Sequence, residues 1–372
     1  MIPCAGRKET PVAESSLPAY VEFGANPRYQ PPFLVQGCRM YNFVLAADYE
    51  RLRALFAKCL NTPSGGAVDF WPVGLPGLAY VLFSFVDMQR ESSRDANLGW
   101  VREREFAIWM LGWDLKSWRF SWFIPYIFVD SDAALIVGRQ DYGFPKRLGW
   151  FTFPQNEANP EVFSLETLVI PQYDPNTQAV RKPLIEIRPS GEGKSKELTR
   201  AFAGFTEMCR EVADRVFDGH LLSVERSPDK LTGQKPGRTS AGIVNLVRQE
   251  FQHLGKEIEQ TGEAIERRLV NIGEALGLGN IPLVFLKQFR DAAYADRACY
   301  QAIIAALCKL TGFTSAQLLG DYEITLCDYP SDPIRQDFGF PAGPLKPKLS
   351  FCLEYNFIVE PGNELWRAGA AT

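Results

Sequence analysis

Between about residues 33 and 187 the apolar residues fall into short runs broken by Gly, Pro, Asn and Asp, the texture of strands and turns. These runs predict strands over 40–47, 79–88, 100–111, 118–129, 133–140, 162–170 and 183–188. One segment differs. In "DYERLRALFAKCL", Leu52, Leu55, Phe56 and Leu60 recur at helical spacing behind Asp48, a suitable cap, which predicts one short helix.

From 196 to 277 the rhythm changes. Leu198, Phe202, Phe205, Cys209, Val212 and Val216 keep a helical period up to Gly219, and a longer stripe runs from Ile243 through Phe251, Ile258 and Leu269 to Leu276 before Gly277. The stretch "VERSPDKLTGQKPGRTS" between the two stripes is rich in Pro, Gly, Ser and Lys and reads as an exposed connection. Strand texture resumes after Ile281 in "IPLVFLKQFR", "DYEITLCDY" and "LSFCLEYNFIVE", while "CYQAIIAALCKL" fits either strand or helix. The chain therefore reads as an α+β fold: a β-rich body with an amphipathic helical pair inserted into it.

Composition narrows the function. At 372 residues the chain can bury a large core, and its 26 Phe and 8 Trp tilt the apolar share toward rings that suit strands and pocket walls. A net charge of -4 argues against a nucleic-acid partner, which requires concentrated Lys and Arg. The apolar runs "AYVLFSFV" and "WFIPYIFV" are short of the roughly 20 residues of a membrane-spanning helix, and "MIPCAGRKETPVAESSLPAY" lacks the pattern of a secretory signal, so a cytoplasmic location is expected. The eight cysteines contain no C-x-x-C pair, which points to reduced thiols rather than a zinc ribbon or disulfide framework. His220 and His253 are the only histidines, and both fall in the helical stretch, away from the aromatic segments; a Ser-His-Asp triad or a His-rich metal site is disfavoured.

The most unusual local chemistry is "GRQDYGFPKRLGWF", residues 138–151, where Lys146 and Arg147 stand among glycine, proline and rings. A solvated lysine is uncharged in only about one molecule in 2,500 at pH 7. Enclosure in an apolar pocket penalises the ammonium, and a guanidinium nearby disfavours it further, so Lys146 is expected to be held as a neutral amine able to form a Schiff base with a carbonyl compound. In a regular strand, however, the side chains of residues 146 and 147 point to opposite faces, and they share a pocket only if the backbone turns at Gly143 and Pro145. The residues alone favour the other reading, a surface lysine with its stem laid over aromatic rings.

"VGRQDYGFPKRLGW" resembles the signature of the acetoacetate decarboxylase family, in which V-G-R leads through an aromatic-Pro-Lys step to a second basic residue and Leu-Gly. The resemblance implies that Lys146 is the Schiff-base lysine, with Arg147 where the family usually has a second lysine; activation by that neighbouring cation is a known property of the decarboxylase. "NLGWVREREFAI" is similar to the segment carrying the family's active-site glutamate and places it at Glu103, although "REREF" also fits an exposed strand with arginines on one face and glutamates on the other. "CRMYNFVLAADYERLR" resembles the family's first strand and helix and suggests Arg39 as a carboxylate-binding residue, or equally a surface ion pair. Phe144 is expected beside the substrate, and Arg139 belongs to the motif with either a structural or a functional role. A second glutamate of the family falls near Ser84, so one acidic partner is expected to be missing.

The resemblance covers nearly the whole chain apart from the inserted helices. It implies a cone-like β-barrel decorated with helices, one domain over 33–372 interrupted at about 196–277, behind a loose lead-in over 1–32. It also implies a cofactor-free lyase that decarboxylates a β-keto acid through a Schiff base, as a homo-oligomer with a small keto compound as its partner. The abundant rings suggest a substrate larger or more apolar than acetoacetate. An imine-forming aldolase-dehydratase or cyclase, and a noncatalytic barrel that binds an apolar ligand, are the alternatives.

Overall fold

The computed structural model describes residues 18–22, 29–75, 77–117, 119–156, 160–190, 201–202 and 282–369. Long runs of β-branched and aromatic residues produce long strands: β1 (Phe33–Ala47), β4 (Leu78–Ser93), β5 (Trp100–Asp114), β6 (Arg119–Val129), β11 (Pro282–Arg290), β12 (Ala298–Leu318) and β14 (Leu349–Val359). These seven close a ring in the order β6-β11-β12-β14-β1-β4-β5, because β5 also pairs with β6. Every contact in the ring is antiparallel except β6 with β11, where Trp122 lies opposite Leu283 in parallel register.

A second run of strands continues from β6 through β7 (Lys146–Thr152), β8 (Phe163–Val169) and β9 (Val180–Pro189) to β13 (Tyr322–Leu326). Short pieces complete the sheet: β2 (Phe70–Pro72), β3 (Gly74–Leu75), β10 (Ala201–Phe202) and β15 (Asn363–Arg367). Helix α1 (Tyr49–Phe56) begins at Asp48, whose side chain accepts a hydrogen bond from the Arg51 amide at 2.9 Å, and runs into a π-helical turn over Ala57–Asn61. Helix α2 (Asp132–Asp141) connects β6 to the parallel β7, and α3 (Ile334–Phe338) ends at the left-handed Gly339.

Side chains alternate along the ring strands between two buried faces. Tyr41, Phe43, Phe83, Phe85, Phe106 and Ile108 enter one core, which β7 to β9, β13, α1 and α3 cover. Their sequence neighbours Met40, Val44, Leu82, Val86, Ala107 and Trp109 enter a second core on the other face.

Three expectations need correction or a limit. The segment 133–140 is not a strand: it is α2, started by Ser131, whose hydroxyl accepts from the Ala134 amide at 3.3 Å. "CYQAIIAALCKL" lies in strand β12. Phe202, assigned to a helical stripe, lies in the two-residue β10 opposite Ala316; the rest of the helical pair over 196–277, with both histidines, lies outside the described residues. Among the described residues no helix is long and apolar enough to cross a membrane.

Candidate active site

Lys146 is the first residue of β7, beside Ile127 of β6. The parallel β6-α2-β7 connection puts it there, and each part of the V-G-R motif has a task in that connection. Val137 lines the cavity that receives the lysine. Gly138 leaves room for the lysine stem: a Cβ at this position would stand 2.9 Å from Lys146 Cδ and 3.3 Å from Phe144 Cδ2. Arg139 donates from Nη1 to the Lys146 carbonyl at 3.0 Å, which fixes the backbone and keeps the guanidinium structural. Gly143 makes the turn, with φ +82° and no room for a side chain against the Lys287 backbone.

The lysine enters a cavity of about 70 Å³. Its walls are mostly apolar and come from Phe33, Val86, Met88, Trp109, Ile124, Leu283 and Phe144 among others. Phe144 stacks on Tyr142 with ring centres 4.9 Å apart and presents its ring 5.6 Å from Lys146 Nζ. Tyr29, within the lead-in expected over 1–32, stacks on Phe33 at 4.7 Å and also lines the cavity.

Three carboxyl groups meet the amine. Lys146 Nζ donates to Glu103 Oε1 at 2.8 Å and stands 3.7 Å from Glu105 Oε2, and Glu91 adds a third carboxyl to the same cavity. Glu103 and Glu105 are two apart on β5 and so share its inner face, while Arg102 turns outward to pair with Asp87 at 2.7 Å. The alternation in "REREF" is therefore real, and its glutamate face is the buried one.

Glu91 arrives by a different route. Between Met88 and Glu91 the register of β4 against β5 slips by one residue, and β1 carries a matching irregularity at Gly37, where φ is +64°. The paired bulges reverse the in-out alternation, so Glu91 faces inward. The expected gap in the acidic set at Ser84 is thus filled from the same strand. Ser84 itself is buried on the inner face, where its hydroxyl donates to Asn42 Oδ1 at 2.7 Å.

These contacts reverse the expected ionisation of the lysine. Burial alone pushes the amine toward neutrality, but the attraction of Glu103, Glu105 and Glu91 outweighs it and raises the Lys146 pKa. Burial raises Glu105 to about 8 against the pull of Lys146, and it raises Glu91 well above the usual carboxylate range, with the neighbouring Glu103 charge adding to it. Burial thus favours the protonated forms of Glu91 and Glu105, while the carboxyl cluster favours the ammonium form of Lys146.

Arg147 and Arg39 do not join the site. Arg147 points to the opposite face of β7, where it pairs with the fully buried Asp332 and donates from Nη2 to the Leu168 carbonyl at 2.7 Å. Regular strand geometry persists at 146–147, so the guanidinium does not suppress the lysine's charge. Arg39 pairs with Glu354 across the β1–β14 ladder, with Nε 2.7 Å from Oε1, on the face away from Cys38 and Met40. Among the described residues no group of His, Cys, Asp and Glu is placed to hold a metal ion.

No family model matches the chain, and no curated protein matches it. Solved structures do. A chain from structural studies of acetoacetate decarboxylase aligns over 92% of this chain and 92% of its own length at 12% identity, with a TM-score of 0.50. Acetoacetate decarboxylase from Legionella pneumophila aligns over 95% of this chain and 94% of its own at 12% identity, with a TM-score of 0.54. The chain has the acetoacetate decarboxylase fold, the architecture that the lysine motif implies.

Proposed function

We propose that the protein is a carbon–carbon lyase that works through a Schiff base on Lys146. The observation that carries this reading is the placement of the amine: buried in an apolar cavity, hydrogen-bonded to Glu103 at 2.8 Å, and held by a helix, a glycine and an arginine that serve its position. Glu103 is close enough to take a proton from the ammonium, which frees the amine to attack a carbonyl carbon. Entry of an apolar substrate favours that transfer, because the neutral amine–acid pair is less costly to bury than the ion pair. Loss of water then leaves a protonated imine, whose nitrogen accepts the electron pair of a neighbouring bond.

That bond is the carboxyl–carbon bond if the substrate is a β-keto acid, as the resemblance in the lysine motif implies. A second reading, an aldol-type or dehydratase reaction through the same imine, draws support from the three carboxyl groups around Nζ. Such reactions move protons at carbon and oxygen, which carboxyl groups do; a substrate carboxylate gains nothing from them.

Incubation with small ketones, aldehydes and β-keto acids in the presence of cyanoborohydride, followed by peptide mass mapping, tests the proposal. The expected result is an adduct confined to Lys146, absent in Lys146→Ala. Release of carbon dioxide separates decarboxylation from the other imine reactions. An absence of adduct across the panel favours the noncatalytic, ligand-binding alternative.

A further inference from the structure

The walls of the cavity also bear on which carbonyl compound enters it. Four of its lining residues bear a carboxyl or amino group: Glu91, Glu103, Glu105 and Lys146. Among the described residues Lys146 is the one cation of that lining, and it is the nucleophile. Arg147 and Arg39, the other basic candidates, are turned to other faces and engaged with Asp332 and Glu354. Among the described residues no further cation lines the cavity to meet a substrate carboxylate, which would enter beside the carboxyl groups of Glu103 and Glu105, and like charges repel strongly in a desolvated site.

Two polar atoms of the lining residues add detail. Among the described residues Tyr29 Oη and Trp109 Nε1 are buried without a hydrogen-bond partner, and both residues are at least nine-tenths enclosed. Buried polar groups ordinarily have partners, since leaving them unpaired costs free energy. The indole donates and the phenol can donate or accept. A hydroxyl group can serve both partners at once.

We infer that the cavity takes an uncharged hydroxylated ketone or aldehyde rather than a keto acid. This rests on the imine reading of Lys146 and names its substrate class. The charge balance is favourable at each step. The ammonium and the carbonyl condense to a protonated imine and one water, so the charge beside Glu103 is +1 before and after. In a β-hydroxy compound a cavity carboxylate then takes the hydroxyl proton, and the bond between the carbinol and α carbons breaks. Its electron pair moves to the imine nitrogen to give a neutral enamine and an aldehyde. The protonated carboxyl returns its proton to the α carbon, and water releases the ketone. A keto acid, by contrast, leaves the cavity with an extra negative charge unless a proton is taken up, so its binding must weaken as pH rises.

Three probes of similar size separate these cases: 4-hydroxy-2-pentanone, 2-pentanone, and 4-oxopentanoate, which differs from 2-pentanone by a carboxylate in place of a methyl group. Each is titrated against the full chain with cyanoborohydride at pH 6.0, 7.0 and 8.0, and adduct at Lys146 is read by mass. The hydroxyketone is expected to half-saturate at a concentration at least tenfold below 4-oxopentanoate and below 2-pentanone, and Tyr29→Phe is expected to raise the value for the hydroxyketone but not for 2-pentanone. The keto acid is expected to weaken with rising pH more steeply than the two uncharged probes. If 4-oxopentanoate labels Lys146 as readily as the hydroxyketone at all three pH values, the inference fails while the imine reading stands. If the hydroxyketone holds no advantage over 2-pentanone, the hydroxyl requirement fails. If no probe labels Lys146, both readings fall together.

Discussion

Glu105 is the residue whose proton controls the others. Its carboxyl oxygen stands 3.7 Å from Lys146 Nζ, and its pKa is pushed up to about 8, first by burial and then, against the attraction of Lys146, by Glu103. Below that pH it is neutral and adds no charge beside the lysine. Above it, a second anion holds the proton on the amine. At an effective dielectric constant of about 20, unit charges about 4 Å apart interact by roughly 4 kcal/mol, enough to suppress the free amine more than tenfold. We therefore expect the rate of Lys146 adduct formation in Glu105→Gln, divided by the wild-type rate, to climb at least tenfold between pH 7 and pH 9. A constant ratio would rule Glu105 out as the controlling group. Stability gives an independent readout. A carboxyl whose pKa is higher folded than unfolded contributes stability that is complete below about 4.5 and is lost as pH rises through about 8. Wild type should lose urea resistance relative to the glutamine variant across that window. Lys146 and Glu103 were marked in the sequence by the resemblance of their motifs, while the alternation in "REREF" fitted an exposed strand as well. Glu91 was not, since a period of two puts it outside and only the paired bulges turn it in. Arg147 shows the reverse: the period of two places it away from Lys146, and the structure keeps it there.

At the scale of elements, α2 and the turn after it form the support of the lysine, and its glycines divide into two kinds. A Cβ on Gly138 would press on the Lys146 stem, 2.9 Å from Cδ, whereas one on Gly143 would press on the Lys287 backbone, 2.7 Å from its amide nitrogen, at a φ of +82°. The first obstacle is a side chain able to yield; the second is not. Gly138→Ala should therefore keep its melting temperature within a few degrees and lose at least tenfold in adduct formation. Gly143→Ala should lose the fold's stability by more than about 1–3 kcal/mol, the usual cost of a strained backbone position. Gly343→Ala, at a φ of +85° but in open space, serves as the control for φ strain alone. If the Gly138 and Gly143 variants melt alike and label alike, the support assigned to Gly138 is wrong. The same element explains the misreading of 133–140. "AALIVGRQ" is rich in branched apolar residues, which favour strands locally, and the helix is set by tertiary demands: Ser131 caps it, and Ala133, Ala134, Val137 and Gly138 pack its inner side against the ring.

Across the whole molecule, the ring strands separate two apolar compartments. Both faces are lined with large hydrophobic side chains, so their alternation in sequence carries no polar contrast, and strands were legible where inside and outside were not. Ring closure depends on the pairing of β5 with β6, a contact between sequence neighbours that carries no local mark of closure. The compartments ought to respond differently to the same injury. Phe163 is fully enclosed on the side away from Lys146, against Tyr41 at 4.8 Å, Phe43 at 5.4 Å and Phe85 at 5.4 Å. Its replacement by Ala removes a ring from the centre of that cluster, which costs about 3–5 kcal/mol in a packed core and should lower the melting temperature by several degrees. The carboxyl groups of β4 and β5 and Lys146 of β7 line the cavity on the other face, whereas Phe163 belongs to the opposite core. Folded Phe163→Ala protein should therefore label at Lys146 with the wild-type half-saturating concentration and the same pH dependence near 8. Loss of labelling in proportion to the loss of stability would mean instead that the sheet transmits packing strain from one compartment to the other, and that the site depends on both cores rather than on the β6-α2-β7 connection that holds its lysine.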